Sequence, residues 1–304
     1  MAIFDSAIVR LLPAVPKPVV RRIADRYIAG TELDEAEACV SRLNARGMMA
    51  TVDVLGEEIR SEQEARAIAR AYLDVLAAIE RERLDANISV KLTGLGLKLD
   101  PELCRELIGQ VVSDAQSRGT FVRIDMEDSS TTDDTLGLYR QLREGGHDNV
   151  GIVLQAYLRR SAADLAALAD LRPNVRLCKG IYVEPPELAF QDPEQIRASY
   201  VSLLDRLLDG GSYVGIATHD EWLIKRALEQ VVRRKLERDG YEFQMLLGVR
   251  QERRDALVRA GHRLRVYVPY GRQWYAYSLR RLQENPSIAG YIAADTVRRL
   301  LPGA

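Results

Sequence analysis

The chain has 304 residues, of which 47% are hydrophobic, and its 43 basic and 44 acidic side chains leave a formal net charge of -1. This length allows one large α/β domain or two ordinary ones, and the balanced charge excludes the strongly basic surface typical of nucleic-acid binders. Three widely spaced cysteines without a C-x-x-C pair indicate neither a disulfide framework nor a zinc ribbon. We therefore expect a protein of the reducing cytoplasm, and no apolar run is long enough to span a bilayer.

Strand candidates, which are short and rich in β-branched or aromatic residues, alternate along the chain with longer amphipathic stretches. There are eight of them, at residues 48–54, 87–92, 121–126, 150–155, 175–178, 213–217, 241–246 and 264–268. Helix-start signals lie between several of them: a capping box at Ser61-x-x-Glu64, and an N-cap before a proline at Asp100-Pro101 and Asp192-Pro193. Eight such units in roughly 250 residues predict a (β/α)8 TIM-type barrel, with an open α/β sheet as the alternative.

No repeat, low-complexity tract or linker divides the chain, so we expect a single domain. Residues 1–46 are predicted to form an N-terminal helical segment packed on the barrel, and residues 47–304 to form the barrel itself. Within the first segment, the amphipathic stretch from Ile3 to Leu12 would either pack on the barrel or touch lipid.

Polar residues stand at or just after the ends of seven predicted strands, where barrel enzymes place their chemistry. They are Lys91, Asp125, Gln155, Arg176 with Lys179, Thr218-His219-Asp220, Gln244 and Tyr267. Lys91 and Asp125 interrupt apolar runs, where an unpaired buried charge would be costly, so we expect them to pair with each other or with a ligand. A single residue of this kind is more often structural than catalytic, but the whole set predicts a site at one end of the barrel.

The stretch from Tyr267 onward leads from the last strand into a short helix that contains Tyr277, Arg280 and Arg281. These three positions would share one helix face. Two guanidinium forks beside an aromatic ring suit a small carboxylate attached to an apolar ring. The residues alone are equally compatible with a solvated face on which Arg280 pairs with Glu284.

Seven blocks of sequence, taken in chain order, resemble the proline dehydrogenase family of flavoenzymes. They are Ile88-Ser-Val-Lys-Leu-Thr93, Arg123-Ile-Asp-Met-Glu127, Leu154-Gln-Ala-Tyr157, Arg176-Leu-Cys-Lys-Gly-Ile-Tyr182, Ala217-Thr-His219, Glu242-Phe-Gln-Met-Leu246 and Tyr277-x-x-Arg-Arg281. The family fold is a (β/α)8 barrel with FAD at the strand ends, which agrees with the strand count and with the absence of a G-x-G-x-x-G fingerprint. Ile181 and Val183 depart from the long members, which have alanine and tryptophan there.

The resemblance implies a substrate pocket for L-proline. Lys91, Arg280 and Arg281 would bind the proline carboxylate, with Asp125 beside Lys91 as its counter-charge. The residues implied to pack against the substrate ring are Tyr267, Tyr277 and Leu246. Glu57 would gate the site by pairing with the first arginine of the closing helix, although the adjacent Glu58 could also serve.

The resemblance also implies a flavin site. The residues implied to contact FAD are Met126, Gln155, Arg176, Lys179, Gly180, Tyr182, Thr218, His219 and Gln244. The catalytic roles would fall to Lys91, Asp125 and Arg176, with Arg176 stabilising negative charge on the reduced ring. The glycine would let the backbone come close to the cofactor.

The implied reaction is the flavin-dependent oxidation of L-proline to 1-pyrroline-5-carboxylate, the first step of proline degradation to glutamate. Electrons would pass to a membrane quinone, so we expect a cytoplasmic protein that makes transient, peripheral contact with the inner face of the cell membrane. The chain stops at Ala304, without the aldehyde dehydrogenase domain of bifunctional members. A separate pyrroline-5-carboxylate dehydrogenase is therefore expected to take the product.

Other classes of protein remain as alternatives. A Schiff-base aldolase would also be a barrel with a strand-end lysine, and either Lys91 or Lys179 could serve. A neighbouring Asp125 argues against it, because a carboxylate raises a lysine pKa. The chain contains only three histidines, so a multi-histidine metal cluster is not expected. A non-catalytic binding protein would need none of the strand-end polar residues.

Overall fold

The computed structural model describes residues 21, 26–56, 59–275 and 277–278. Eight parallel strands follow one another in chain order around a closed barrel, which confirms the predicted (β/α)8 architecture. The strands are β1 Met49–Val54, β2 Ala86–Val90, β3 Val122–Ile124, β4 Val150–Gln155, β5 Val175–Cys178, β6 Val214–Ala217, β7 Tyr241–Leu246 and β8 Leu264–Tyr270.

In the described ranges, residues 21, 26 and 27 are helical, and eight helices have described bounds, one before the first strand and seven between strands. They are α1 Leu33–Asn44, α2 Glu62–Arg81, α3 Pro101–Ser117, α4 Thr132–Glu144, α5 Ser161–Ala167, α6 Pro193–Asp209, α7 Glu221–Arg233 and α8 Gln251–Arg259, with short 3-10 turns at Thr93–Leu95, Ser129–Thr131 and Ala169–Leu171. Helix α1 packs against β1 and β8, and it lies within the predicted N-terminal segment. No described helix is long and apolar enough to cross a membrane.

The predicted helix-start signals lie where the helices begin. Asp100 and Asp192 are the N-caps of α3 and α6, and each accepts a hydrogen bond from a backbone N–H of the first turn. Ser61 accepts a hydrogen bond from the backbone N–H of Glu64 at 3.3 Å. The Glu64 carboxylate binds the backbone N–H of Arg60 instead of that of Ser61, so the box at α2 is only half formed.

Three strands have the predicted bounds, and three others end at different residues in ways that matter for the site. Strand β3 ends at Ile124, so Asp125 is the first residue after the strand, as Lys91 is after β2. Strand β8 is longer than predicted because Pro269 and Tyr270 continue the pairing with β1. These differences come from the register between neighbouring strands, which cannot be read from the sequence of one strand alone.

The barrel interior is polar near its middle. Arg123 is 1% exposed and donates to the backbone carbonyls of Ile152 and Asn174. Glu242 and Arg265 form a buried ion pair of 2.8 Å. Burial alone would raise the pKa of Glu242, but the adjacent arginine charge holds it below its usual value. This layer of buried charges lies two residues before the strand-end positions on β3, β7 and β8, directly beneath the predicted site.

Candidate active site

The carboxyl ends of the strands open into a cavity of about 640 Å3, which is the size expected for a small-molecule site. Every predicted site residue within the described part of the chain lines this cavity: Lys91, Asp125, Met126, Gln155, Arg176, Lys179, Gly180, Tyr182, Thr218, His219, Gln244, Leu246, Tyr267 and Tyr277. Three further predicted residues, Glu57, Arg280 and Arg281, lie outside the described residues, as does Glu58. The structure thus brings residues from seven strands to one place.

Lys91 has a nearer counter-charge than the one predicted. Its Nζ donates to Asp53 Oδ1 at 2.8 Å and to the Tyr267 hydroxyl at 3.1 Å, whereas Asp125 Oδ2 lies 3.6 Å away. Asp125 is thus a counter-charge of Lys91, as predicted, and Asp53 is a second and nearer one that was not predicted. Asp53 lies in β1, which is the other neighbour of β2 in the barrel.

Asp125 pairs mainly with Arg176. Arg176 Nη1 donates to Asp125 Oδ1 at 2.5 Å, and the same oxygen accepts a hydrogen bond from Ser89 Oγ at 2.8 Å. Burial alone would raise the pKa of Asp125, but the positive charges of Arg176 and Lys91 outweigh burial and hold that pKa below its usual value. The carboxylate is therefore ionised at neutral pH and is a weak base.

Tyr267 links the two ion pairs. Its hydroxyl donates to Asp125 Oδ2 at 2.9 Å and accepts a hydrogen bond from Lys91, while the Arg176 guanidinium lies 5.1 Å from its ring centroid, within cation–π range. Burial, followed by the two nearby aspartate charges, raises the pKa of Tyr267 well above its usual value. Tyr267 was predicted as an apolar wall, and the structure shows that its hydroxyl also has a polar bridging position.

Gln244 anchors Arg176 from below. Its Oε1 accepts a hydrogen bond from Arg176 Nε at 2.6 Å, and its Nε2 donates to Glu242 Oε1 at 2.5 Å. Because Glu242 is itself paired with Arg265, the guanidinium of Arg176 rests on a chain of contacts that reaches the barrel interior. Gly215 leaves room for this amide, since a Cβ there would lie 2.4 Å from Gln244 Nε2.

The side of the cavity next to β5 and β6 carries a second charged cluster. Lys179 Nζ and Arg197 Nε pair with Asp220 Oδ2 at 2.5 and 2.8 Å, and Asp220 Oδ1 caps α7 by accepting from the backbone N–H of Trp222 at 3.0 Å. These contacts hold the pKa of Asp220 below its usual value, against the effect of burial. Nearby, His219 Nε2 accepts a hydrogen bond from the backbone N–H of Leu246 at 3.0 Å.

Gly180 has a conformation that requires glycine. Its φ is +110°, and a Cβ at this position would lie 1.9 Å from Cδ1 of the Tyr157 ring. This glycine was predicted to let the backbone come close to a cofactor. The structure gives a second reason for a glycine, because the Tyr157 ring packs against this position. On the adjacent strand, Gln155 Nε2 donates to the backbone carbonyl of Glu127 at 2.8 Å.

Comparison with known proteins gives the family. A family profile described as Proline dehydrogenase matches residues 36–294. The chain belongs to the proline dehydrogenase family. It is 39% identical to proline dehydrogenase 1 of Bacillus subtilis subsp. natto, over 91% of each chain, and 36% identical to the proline dehydrogenase of Deinococcus radiodurans, over 91% of this chain and 90% of that protein.

A solved structure shows the same fold. Proline utilization A from Bdellovibrio bacteriovorus, inactivated by N-propargylglycine, superposes with a TM-score of 0.83 and 24% sequence identity, covering 91% of this chain and 36% of that longer chain. Together these findings confirm the predicted family and the predicted barrel. As a member of the proline dehydrogenase family, the chain is an oxidoreductase.

Sequence reasoning missed Asp53 and Ser89 as members of the site. Asp53 carried a usable signal, because it is an acidic residue near the end of an otherwise apolar strand, as Lys91 is beside β2. Ser89 carried none, because a serine in a strand is common. Asp220 was in the predicted strand-end set, but no contact was predicted for it, because its pairing depends on helix α6, which presents Arg197.

Proposed function

We propose that the chain oxidises L-proline to 1-pyrroline-5-carboxylate with FAD as cofactor and passes the electrons to a membrane quinone. The observation that carries this proposal is the convergence of the family's site residues on one cavity at the carboxyl ends of the barrel strands. Active sites of barrel enzymes lie at this end.

The charge balance of the site supports a carboxylate clamp that includes the closing helix. Lys91 and Arg176 are matched by Asp53 and Asp125, so the group of four is neutral. A proline carboxylate placed beside it would add a negative charge to a largely buried pocket, which is costly without another cation. Tyr277 lines the cavity, and Arg280 and Arg281 follow it in the sequence; we propose that they supply that charge together with Lys91.

The lining of the cavity fits a flavin nucleotide. Apolar side chains that suit a ring system include Met126, Val153 and Met245. Lys179, which lines the cavity, suits a phosphate oxygen as a hydrogen-bond donor, whereas the N-terminus of α7 is already capped by Asp220. When bound, FAD would supply the hydride acceptor for the ring carbon that adjoins the proline nitrogen and does not carry the carboxylate.

The protein's own part in the reaction is to bind and orient. Lys91 and the two arginines would fix the carboxylate, and Tyr277 with Leu246 would pack against the ring, so that the reacting carbon has one orientation. Arg176, held by Asp125 and Gln244, would place a fixed positive charge at the cofactor edge.

No member of this cluster is suited to act as a strong base. Asp125 has a lowered pKa, and the hydroxyl proton of Tyr267 is donated to Asp125. We propose that proline reacts as the free amine and that its proton leaves to solvent. The cyclic imine product would then pass to a separate pyrroline-5-carboxylate dehydrogenase, in the pathway from proline to glutamate.

Electron transfer to a quinone sets the proposed location. The chain would work in the cytoplasm and make transient, peripheral contact with the inner face of the cell membrane, where the quinone is dissolved. This proposal rests on the family resemblance. The Schiff-base aldolase alternative is not favoured, because the family is that of a dehydrogenase and the Lys91 ammonium donates to Asp53 and Tyr267, which leaves a poor nucleophile.

An anaerobic absorbance titration tests this proposal. The purified protein, reconstituted with FAD if necessary, should show an oxidised flavin spectrum that bleaches on addition of L-proline and recovers on addition of a soluble quinone. Pyrrolidine, which lacks the carboxylate, is the matched control and should bleach the flavin far more slowly. Arg281→Met should retain the flavin but require a much higher proline concentration. A protein that binds no FAD, or a flavin that proline does not bleach, would refute the proposed function.

A further inference from the structure

Asp53 is the nearer of two buried carboxylates that pair with Lys91 in the described part of the chain. The whole Asp53 residue is 0% exposed, and its Oδ1 lies 2.8 Å from Lys91 Nζ. We propose that Asp53 is the positioning residue of the carboxylate clamp: it holds the Lys91 ammonium in the pose that receives the substrate carboxylate. This inference rests on the proposed role of Lys91 in binding that carboxylate.

The two aspartates near Lys91 have different tasks. Asp125 is shared among Arg176, Ser89 and Tyr267, with distances of 2.5 to 2.9 Å, and it lies 3.6 Å from the lysine amine. Asp53 makes the shorter contact with Lys91. Because the attraction between opposite charges strengthens as their separation falls, Asp53 constrains the lysine ammonium more strongly than Asp125 does.

Asp53 is well placed to restrain a long side chain. A lysine has four rotatable side-chain bonds and loses conformational entropy when its amine is fixed. Asp53 lies on β1, paired in register with Ser89 of β2, two residues before Lys91. Its Oδ1 also lies 3.5 Å from the hydroxyl of Tyr72 on α2. Asp53 therefore lies on a strand that packs against a helix, and such rigid elements hold a binding group in place.

The test compares Asp53→Asn, Lys91→Met and the double variant, all as flavin-loaded protein. Asp74→Asn is the matched control, since Asp74 is exposed on α2. Two probes separate the ends of the substrate: cyclopentanecarboxylate keeps the carboxylate on a five-membered ring, and pyrrolidine keeps the ring amine. Isothermal titration gives the Kd of each probe, and steady-state kinetics give KM and kcat for L-proline.

If Asp53 positions Lys91, Asp53→Asn should weaken cyclopentanecarboxylate about ten- to hundred-fold, the loss expected for one charge-assisted contact. Pyrrolidine binding should stay within about two-fold, and the rise in proline KM should exceed the fall in kcat. In the Lys91→Met background, Asp53→Asn should cause little further increase in the Kd of cyclopentanecarboxylate. Equal weakening of both probes, or an effect no larger than that of Asp74→Asn, would overturn the inference.

The Lys91→Met variant separates this inference from the proposed function. Normal carboxylate binding by Lys91→Met would overturn the proposed clamp and the inference with it, whereas a defect in Lys91→Met without one in Asp53→Asn would overturn the inference alone. Removing the lysine leaves a buried carboxylate without its 2.8 Å partner, which destabilises the fold. The double variant should therefore unfold at a higher temperature than Lys91→Met. If it does not, the Asp53–Lys91 ion pair does not stabilise the fold as inferred.

Discussion

Replacing Asp125 with asparagine keeps the shape of the side chain and removes its charge. The carboxylate now pairs with Arg176 at 2.5 Å and with Lys91 at 3.6 Å, and it accepts hydrogen bonds from Ser89 and Tyr267. Asparagine can still accept from Arg176 through its carbonyl oxygen, but its amide group would then face the Tyr267 hydroxyl. The variant therefore loses the ion pairs with Arg176 and Lys91 and strains one hydrogen bond.

The expected cost follows from these contacts. Breaking a buried ion pair by removing one partner lowers the free energy of unfolding by about 3–5 kcal/mol. A neutral hydrogen bond that is retained offsets about 1 kcal/mol of this loss. We expect Asp125→Asn to lower the free energy of unfolding by about 2–4 kcal/mol at pH 7. The folded pKa of Asp125 is below its unfolded value, so the unfolded state binds more protons at acid pH. The loss should be largest above about pH 4 and should shrink as the pH falls further.

Urea unfolding of the parent and the variant at several pH values between about 3 and 7 measures this difference. Asp148→Asn is the matched control, because Asp148 also pairs with an arginine, Arg143, at 3.0 Å, but its side chain is 90% exposed. That substitution should cost less than about 1 kcal/mol. If Asp125→Asn costs no more than the control, or if its cost does not depend on pH, the reasoning about the buried pair is wrong.

Two further substitutions test local features of the site. Gly180→Ala should destabilise the protein by about 1–3 kcal/mol, because the φ of Gly180 is +110° and the new Cβ would collide with the Tyr157 ring. Gly109→Ala, in the middle of α3 with open space around it, should instead stabilise the protein by about 0.5–1 kcal/mol. Urea unfolding that gave both changes in stability the same sign would contradict this. Asp220→Ala should lower the free energy of unfolding by about 1 kcal/mol more than Asp220→Asn, because asparagine can still cap α7 by accepting from the backbone N–H of Trp222. Equal losses in melting temperature for the two variants would show that the cap contributes nothing.

Much of the fold followed from local patterns. The alternation of eight short apolar runs with amphipathic stretches predicted the barrel, and the aspartates before Pro101 and Pro193 predicted the starts of α3 and α6. These signals act over a few residues, so they can be read without knowing what packs against them. The ends of β3 and β8 could not be predicted in the same way, because they depend on hydrogen bonds to neighbouring strands.

The members of the site were also largely predictable, because a polar or charged residue at the buried end of an apolar strand is costly unless it has a partner or a ligand. The partners of those residues were predicted only in part, since Lys91 does pair with Asp125 but at 3.6 Å. Lys91 was expected to pair with Asp125, yet its nearer partner is Asp53, and Tyr267 bridges the two ion pairs through its hydroxyl.

The sequence by itself therefore determined the barrel, the end at which the site lies and most of the side chains that line it. Only the tertiary structure decided which charge neutralises which. Closing the barrel makes β8 a neighbour of β1, and the stagger between strands then places Asp53, Lys91 and Tyr267 at one level. Coulomb energies depend on distances of a few ångströms, and those distances are set by strand register across residues far apart in the chain.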